Sequence, residues 1–410
     1  MPLVRAGARN RAATCDENGT SKFVLVLFSS ILLAIAACSG VLVAQELHHR
    51  PPRLAGLRVP GKDFEERTAP NLRTAPNLKV LSTSPTNGAV GVSPFQPITI
   101  TFSSALAGAP PLSFSPPIQG SWKFLSPAQL EFTPSAPLLP LTTEHLVVPA
   151  GLGGARARDG ANLAAPVTLS WQVANGSVLR AQQILAQLGY LPLGFTRTGP
   201  LPRGPDPYVS ALFDPPEGNF YWRYPGTPRS LEQAWAPGAA NIMTRGAIVA
   251  FERANLMVAY TTVHPSLWPA LLRAEQSGAR NPKGYSYVMV SQDQPESLTI
   301  WHDGADVYTS VANTGLPSSP TPVGTFFVYL RYASQTMQGH NPNGSYYIDH
   351  GVRWVNYFDG NDAIHGFVRA AYGFPQSLGC VELPVANAAV AWGWIHYGTL
   401  VSVMAPTTAR

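Results

Sequence analysis

A thiol and an imidazole lie close in sequence near the end of this chain. Cys380 stands in Ser377-Leu378-Gly379-Cys380-Val381-Glu382-Leu383, fifteen positions after the pair His365-Gly366. The thiolate is the nucleophile of acyl transfer. A free thiol near neutral pH is mostly protonated, so a neighbouring base must take its proton. His365 is the candidate base, and the glycine after it lets backbone approach the ring closely. Gly379 places a residue without a side chain before the sulfur. The amides of Gly379 and Cys380 are therefore candidate donors to the oxyanion of a tetrahedral intermediate. Ser377 is suited to fix the turn through its hydroxyl.

Other chemistries find little footing. His340 and His350 lack any HExxH or paired-cysteine spacing and read as loop histidines, so no metal is expected. The chain has no phosphate-cradling glycine-rich loop and no Gly-x-Ser-x-Gly elbow, and no cofactor is expected. A net charge of +5 fits proximity to an anionic polymer, but no basic stripe points to nucleic acid.

The compartment sharpens the reading of the thiol. Residues 23–44 carry no charge, and Arg5, Arg9, Arg11 and Lys22 precede them. A helix of that length would span the ~30 Å of a bilayer core, with its N-terminus in the cytoplasm. Residues 1–22 are thus expected inside, and 23–45 form a transmembrane signal anchor or a lipoprotein signal. In the second case Ile35-Ala36-Ala37-Cys38 acts as a lipobox and Cys38 carries the lipid. Either way the remainder is exported, and Cys380 is the one thiol of the three that lies wholly in the exported part. Without an internal disulfide partner it is either an inert buried group or a reactive one.

With 40 prolines and only 12% charged residues, the chain is expected to build loop-rich β domains. Residues 46–79 read as a proline-rich linker in which Arg-Thr-Ala-Pro-Asn-Leu at 67–72 repeats at 73–78. Over 80–174 apolar residues alternate: Ile98, Ile100 and Phe102; Trp122 and Phe124; Leu130 and Phe132; Leu146 and Val148; Leu169, Trp171 and Val173. This period of two predicts a β-sandwich. Over 178–275 the period becomes helical, through Ala181, Ile184, Leu185 and Leu188, then Ala247, Ala250, Phe251 and Ala254, then Trp268, Leu271 and Leu272. From 284 to 406 strand patterns return around Tyr285, Tyr287 and Met289, Leu298 and Ile300, and Phe326 and Val328. A turn is expected at Asp303-Gly304, a short helix over 386–394, and a closing strand at 400–403.

Three ordered motifs carry a resemblance: Thr321-Pro322-Val323-Gly324-Thr325-Phe326, Ile364-His365-Gly366, and Ser377-Leu378-Gly379-Cys380-Val381. They are similar to the signature of L,D-transpeptidase (YkuD-like) catalytic domains and cover about the last 120 residues. Residues 84–103 resemble bacterial Ig-like domains, and 182–191 with 245–255 resemble a three-helix peptidoglycan-binding-like module. The intervening 192–241 is longer and richer in proline than that module usually allows. The resemblances imply a mainly β, multidomain protein of the bacterial cell envelope: a membrane helix, an Ig-like sandwich, a small three-helix module and a β-rich catalytic domain.

They further imply cross-linking of peptidoglycan. Cys380 is then the nucleophile, His365 the general base and acid, and the Gly366 carbonyl the group that orients the imidazole. The partners are tetrapeptide stems as donor and acceptor, cell-wall glycan, and the membrane through the N-terminal segment. Water as acceptor gives an L,D-carboxypeptidase, and a decayed site gives a non-catalytic wall-binding protein. Tyr346, Tyr347 and Trp354 fall where such domains often have a substrate-covering loop, and are candidates for binding substrate. The family commonly has histidine where Leu378 stands, and arginine or asparagine where Glu382 stands. Glu382 reads as a solvated or structurally paired carboxylate, or as a contact for the ammonium of an acceptor stem.

Overall fold

The computed structural model describes residues 77–407, which belong to one compact unit. The apolar segment 23–45, the candidate lipobox at Cys38 and nearly all of the linker lie outside the described residues. Among the described residues no helix is long and apolar enough to cross a membrane.

The alternating stretch folds as two facing antiparallel-rich sheets. Its strands are β1 (Val80–Ser84), β2 (Ala89–Val92), β3 (Ile98–Phe102), β4 (Ser113–Ser115), β5 (Gly120–Ser126), β6 (Gln129–Pro134), β7 (Thr143–Val148) and β8 (Val167–Val173). One sheet runs β1-β3-β6-β5 and the other β2-β8-β7-β4. Side chains two apart share a face, so Ile98, Ile100 and Phe102 meet Leu130 and Phe132 from one sheet and Leu146, Val148, Leu169 and Trp171 from the other. Phe124 departs from the expected pattern. It sits on the edge strand β5, beside a register shift between Phe124 and Ser126, and is largely exposed.

The helical stretch contains α1 (Val178–Leu188), β9 (Leu193–Arg197), α2 (Pro207–Ala211), β10 (Gly218–Trp222), α3 (Arg229–Gln233), α4 (Ile242–Ala254) and α5 (Leu267–Ser277). Helix α1 ends where Gly189 takes φ +83°, with Gly189 N–H bonding the Ala186 carbonyl and Tyr190 N–H the Leu185 carbonyl. That pair of hydrogen bonds is a Schellman stop, which a glycine allows without strain. Asn241 caps α4 by accepting the Thr244 amide at 2.8 Å. The three longer helices pack together as their apolar spacing predicts. The long, proline-rich segment 192–241 supplies the hairpin β9–β10 and two short helices. Gln182 ties part of it down, donating to the Ala239 carbonyl and accepting the Gly238 amide.

This core does not stop at the end of the helices. Tyr285, Tyr287, Trp301, Phe327 and Leu400 of the C-terminal region join it. Gly246 of α4 approaches Gly398 so closely that a Cβ on Gly398 would strike the Gly246 carbonyl and the Ala250 amide. Only a glycine pair permits this backbone contact.

The C-terminal region holds β11 (Ser286–Ser291), β12 (Ser297–His302), β13 (Ala305–Val311), β14 (Gly324–Phe327), β15 (Leu330–His340), β16 (Tyr346–Asp359), β17 (Asp362–Gly366), β18 (Val381–Leu383), α6 (Val385–Trp394) and β19 (Leu400–Met404). Asp303 and Gly304, both at positive φ, close the β12–β13 hairpin. The sheets are ordered β13-β12-β11-β19-β14 and β15-β16-β17-β18. Val288, Val290, Ile300 and Val401 of the first meet Phe358, Ile364 and Val381 of the second, with Ala388 and Ala391 of α6. The second sheet carries the candidate site.

Candidate active site

Strands β17 and β18 pair in parallel with Ile364 opposite Val381, His365 opposite Glu382 and Gly366 opposite Leu383. One step back along the same register, Cys380 falls beside Ala363. Alternation then sends 363, 365, 380 and 382 to one face of the sheet, and 364 and 381 to the other. Packing agrees: Ile364 and Val381 lie in the core between the sheets, whereas Ala363 and Cys380 cluster with Met337, Tyr347, Val352, Val355, Tyr357 and Leu378. His365 and Cys380 are thus diagonal neighbours on adjacent strands, a relation that separates side-chain bases by ~7–8 Å.

The imidazole is fully buried, and its Nδ1 lies 3.2 Å from the Gly366 carbonyl oxygen. A carbonyl only accepts, so Nδ1 carries the proton and donates it there. Nε2 is left as the basic nitrogen, and it is buried with no hydrogen-bond partner among the described residues. Burial lowers the His365 pKa, and the Arg369 charge lowers it further, while Glu382 and the Gly366 carbonyl oppose both. The ring is therefore neutral at pH 7 and able to take a proton.

The turn before the sulfur is braced by hydroxyls. Ser377 donates to the Cys380 carbonyl at 2.5 Å and accepts the Gly379 amide at 3.2 Å. Ser319 donates to the Leu378 carbonyl at 3.1 Å, and Thr321 to the Gly379 carbonyl at 2.7 Å. Gly379 has φ +116°, and a Cβ there would meet the Asp362 carboxylate. The expectation that the Gly379 amide faces an oxyanion is corrected by this geometry, because that amide is turned toward Ser377.

Behind the turn, Glu296 is fully buried and accepts both the Thr314 amide, at 2.6 Å, and its hydroxyl, at 2.7 Å. The Thr314 carbonyl in turn accepts the amides of Gln376 and Ser377.

The remaining candidates separate. Glu382 is fully buried and held by Arg369 through two bonds of 2.8 and 2.6 Å. It is a paired internal carboxylate with no face toward an acceptor stem. Leu378 lies in the apolar cluster around Cys380. Tyr346 is 53% exposed near the turn of the β15–β16 hairpin, its ring tilted against that of His340. Tyr347, one residue on, points inward at 3% exposure and packs in the cluster that holds Cys380. Trp354 is in left-handed backbone (φ +59°) and packs against Trp392 of α6 and the inter-sheet core, away from the sulfur.

His350 contacts Thr336, and among the described residues no group of three or more histidine, cysteine, aspartate or glutamate side chains could hold a metal. Arg369, Thr321, Ser319 and Asp362 were not singled out in sequence. Thr321 at least lies within a motif that was.

Cys380 itself is 1% exposed. The hairpin residues Met337, Tyr347 and Val352 belong to the same buried cluster as the sulfur, which lies 3.8 Å from the Asn361 carbonyl oxygen. Burial also raises the Tyr357 pKa, and the adjacent Cys380 adds to the rise.

Residues 285–403 match the family of L,D-transpeptidase catalytic domains (YkuD), and residues 73–173 match the bacterial Ig-like domain family (Big_5). Neither match reaches the helical stretch. No curated protein matches the chain in sequence. Among solved structures, L,D-transpeptidase 3 from Mycobacterium tuberculosis is similar at 14% identity over 79% of this chain and 98% of that one, with a TM-score of 0.27. An L,D-transpeptidase from Mycobacterium smegmatis aligns at 15% identity over 80% and 99% of the two chains, with a TM-score of 0.26. The catalytic domain of the E. faecium L,D-transpeptidase aligns at 25% identity over 29% and 96%, with a TM-score of 0.27.

Proposed function

We propose that this chain is an exported L,D-transpeptidase that cross-links peptidoglycan through an acyl-enzyme on Cys380. The observation that carries the reading is the unpartnered, neutral Nε2 of His365, on the same sheet face as the sulfur. The match of residues 285–403 to the catalytic-domain family supports it.

In this reading His365 Nε2 takes the Cys380 proton. The thiolate attacks the carbonyl between the third residue of a tetrapeptide stem and its terminal D-alanine. The C–N bond breaks, the imidazolium returns the proton to the departing amine, and a thioester remains. An amine on the third residue of a second stem then attacks the thioester and gives its proton to His365, the C–S bond breaks as the new amide forms, and the imidazolium returns the proton to the departing thiolate. The buried sulfur adds a requirement: the groups packed around it move before a stem reaches it.

The test supplies a purified disaccharide-tetrapeptide with and without an amine acceptor. Release of D-alanine with formation of a cross-linked dimer, both lost in Cys380→Ala, supports the reading. Release without dimer assigns an L,D-carboxypeptidase. A second reading, a wall-binding protein without turnover, is favoured by one observation, the 1% exposure of the sulfur. Binding to sacculi that is equal in wild type and Cys380→Ala, with no D-alanine released by either, would select it.

A further inference from the structure

Thr321 has an arrangement that its role in a turn motif does not require. Its hydroxyl is buried, accepts the Gly315 amide at 2.8 Å, and donates to the Gly379 carbonyl at 2.7 Å, 58 residues away in sequence. The Gly379 carbonyl belongs to the peptide unit that ends in the Cys380 amide. A trans peptide unit is planar, so its carbonyl and its N–H point in opposite directions. Holding the carbonyl on the Thr321 side therefore turns the Cys380 N–H to the other side.

That peptide is easily rotated if nothing holds it. Gly379, at φ +116°, has no Cβ to restrict rotation on its side of the unit. The amide before it gives no substitute donor, because Gly379 N–H is turned to Ser377 Oγ and the Leu378 carbonyl to Ser319. One hydroxyl thus fixes the direction of the one amide that belongs to the nucleophile.

We infer that Thr321 is a positioning residue: it locks the Gly379–Cys380 peptide so that the Cys380 N–H donates to the oxyanion formed when Cys380 is acylated. The inference rests on the reading of Cys380 as an acyl carrier. Thr321 touches neither substrate nor sulfur in this role and acts only through the Gly379 carbonyl.

The experiment compares two reactions of the same thiol in the full exported chain. Acylation by a carbapenem passes through a tetrahedral oxyanion, whereas alkylation by iodoacetamide does not. In Thr321→Val the acylation rate should fall on the order of 10²-fold, the cost of a lost oxyanion donor, while the alkylation rate stays within about twofold of wild type. Thr321→Ser keeps the hydroxyl and should restore acylation. Thr321→Ala removes the same hydroxyl from a smaller side chain and serves if the valine variant does not fold. The inference is overturned if the valine or alanine variant acylates at the wild-type rate, or if acylation and alkylation fall together. A wild-type protein that is alkylated but never acylated overturns the underlying reading itself, so the two failures are told apart by which protein fails.

Discussion

Replacing Glu382 by glutamine removes one charge from the buried pair behind the candidate base. Glu382 is fully buried, its partner Arg369 is nearly so, and two bonds of 2.8 and 2.6 Å join them. Two charges out of water gain little as a pair, but losing one leaves the other uncompensated. That costs about 3–5 kcal/mol. For a domain of this size each kcal/mol lowers Tm by about 2–4 °C, so Glu382→Gln should melt roughly 6–20 °C below wild type. Arg369→Leu should cost a similar amount alone. The double variant Glu382→Leu with Arg369→Leu should recover most of the loss, because an apolar pair needs no compensation.

Calorimetric melting of wild type, Glu382→Leu, Arg369→Leu and their double variant closes a thermodynamic cycle, with Glu382→Gln measured beside it. The pair also sets the field at His365, where Glu382 raises the ring pKa and Arg369 lowers it. Glu382→Gln should therefore lower that pKa further, as read by NMR titration of the imidazole. The reasoning is refuted if Glu382→Gln costs less than about 1 kcal/mol, or if the single effects simply add.

Two further outcomes follow from the same geometry. The His365 pKa is depressed in the folded protein, so the unfolded chain binds the extra proton first as pH falls. Its contribution to stability is whole above about pH 6.5 and is lost as pH drops through the folded value. Tm measured from pH 7 to 5 should fall less steeply in His365→Gln than in wild type, and an unchanged slope would contradict this. Gly398→Ala forces a Cβ against the Gly246 carbonyl from backbone at φ +79°, and should cost at least about 1–3 kcal/mol by denaturant titration. A wild-type midpoint would mean that α4 and the C-terminal sheet do not depend on that contact.

Much of the architecture was legible because burial enforces period. Ile98, Ile100 and Phe102 could bury only as a strand, and Ala181, Ile184, Leu185 and Leu188 only as a helix. Asp303-Gly304 announced its turn by residue type. Cys380 and His365 could be named as a pair, but what brings them to one face is the β17–β18 register. Fifteen residues leave room for that crossover without specifying it.

What escaped reading depends on contacts between segments far apart in sequence. Arg369, in the loop after β17, pairs with Glu382 of β18, so of the solvated and the paired readings of that carboxylate the structure has the paired one, fully buried. Tyr346 and Tyr347 are adjacent and look alike, yet alternation turns one out and the other in. The cluster around the sulfur, the direction of the Gly379 amide and the fold of 192–241 have no local pattern. Phe124 followed the right period on a strand whose edge position the period cannot reveal.

The chemistry proposed for this chain stands only if the Cys380 sulfur carries an acyl group. Intact-protein mass spectrometry after incubation with a carbapenem, followed by peptide mapping, tests it most directly. One adduct is expected, confined to the peptide containing Cys380, absent from Cys380→Ala and formed much more slowly in His365→Gln. A wild-type protein that stays at its unmodified mass, or an adduct mapped to any other residue, would contradict it.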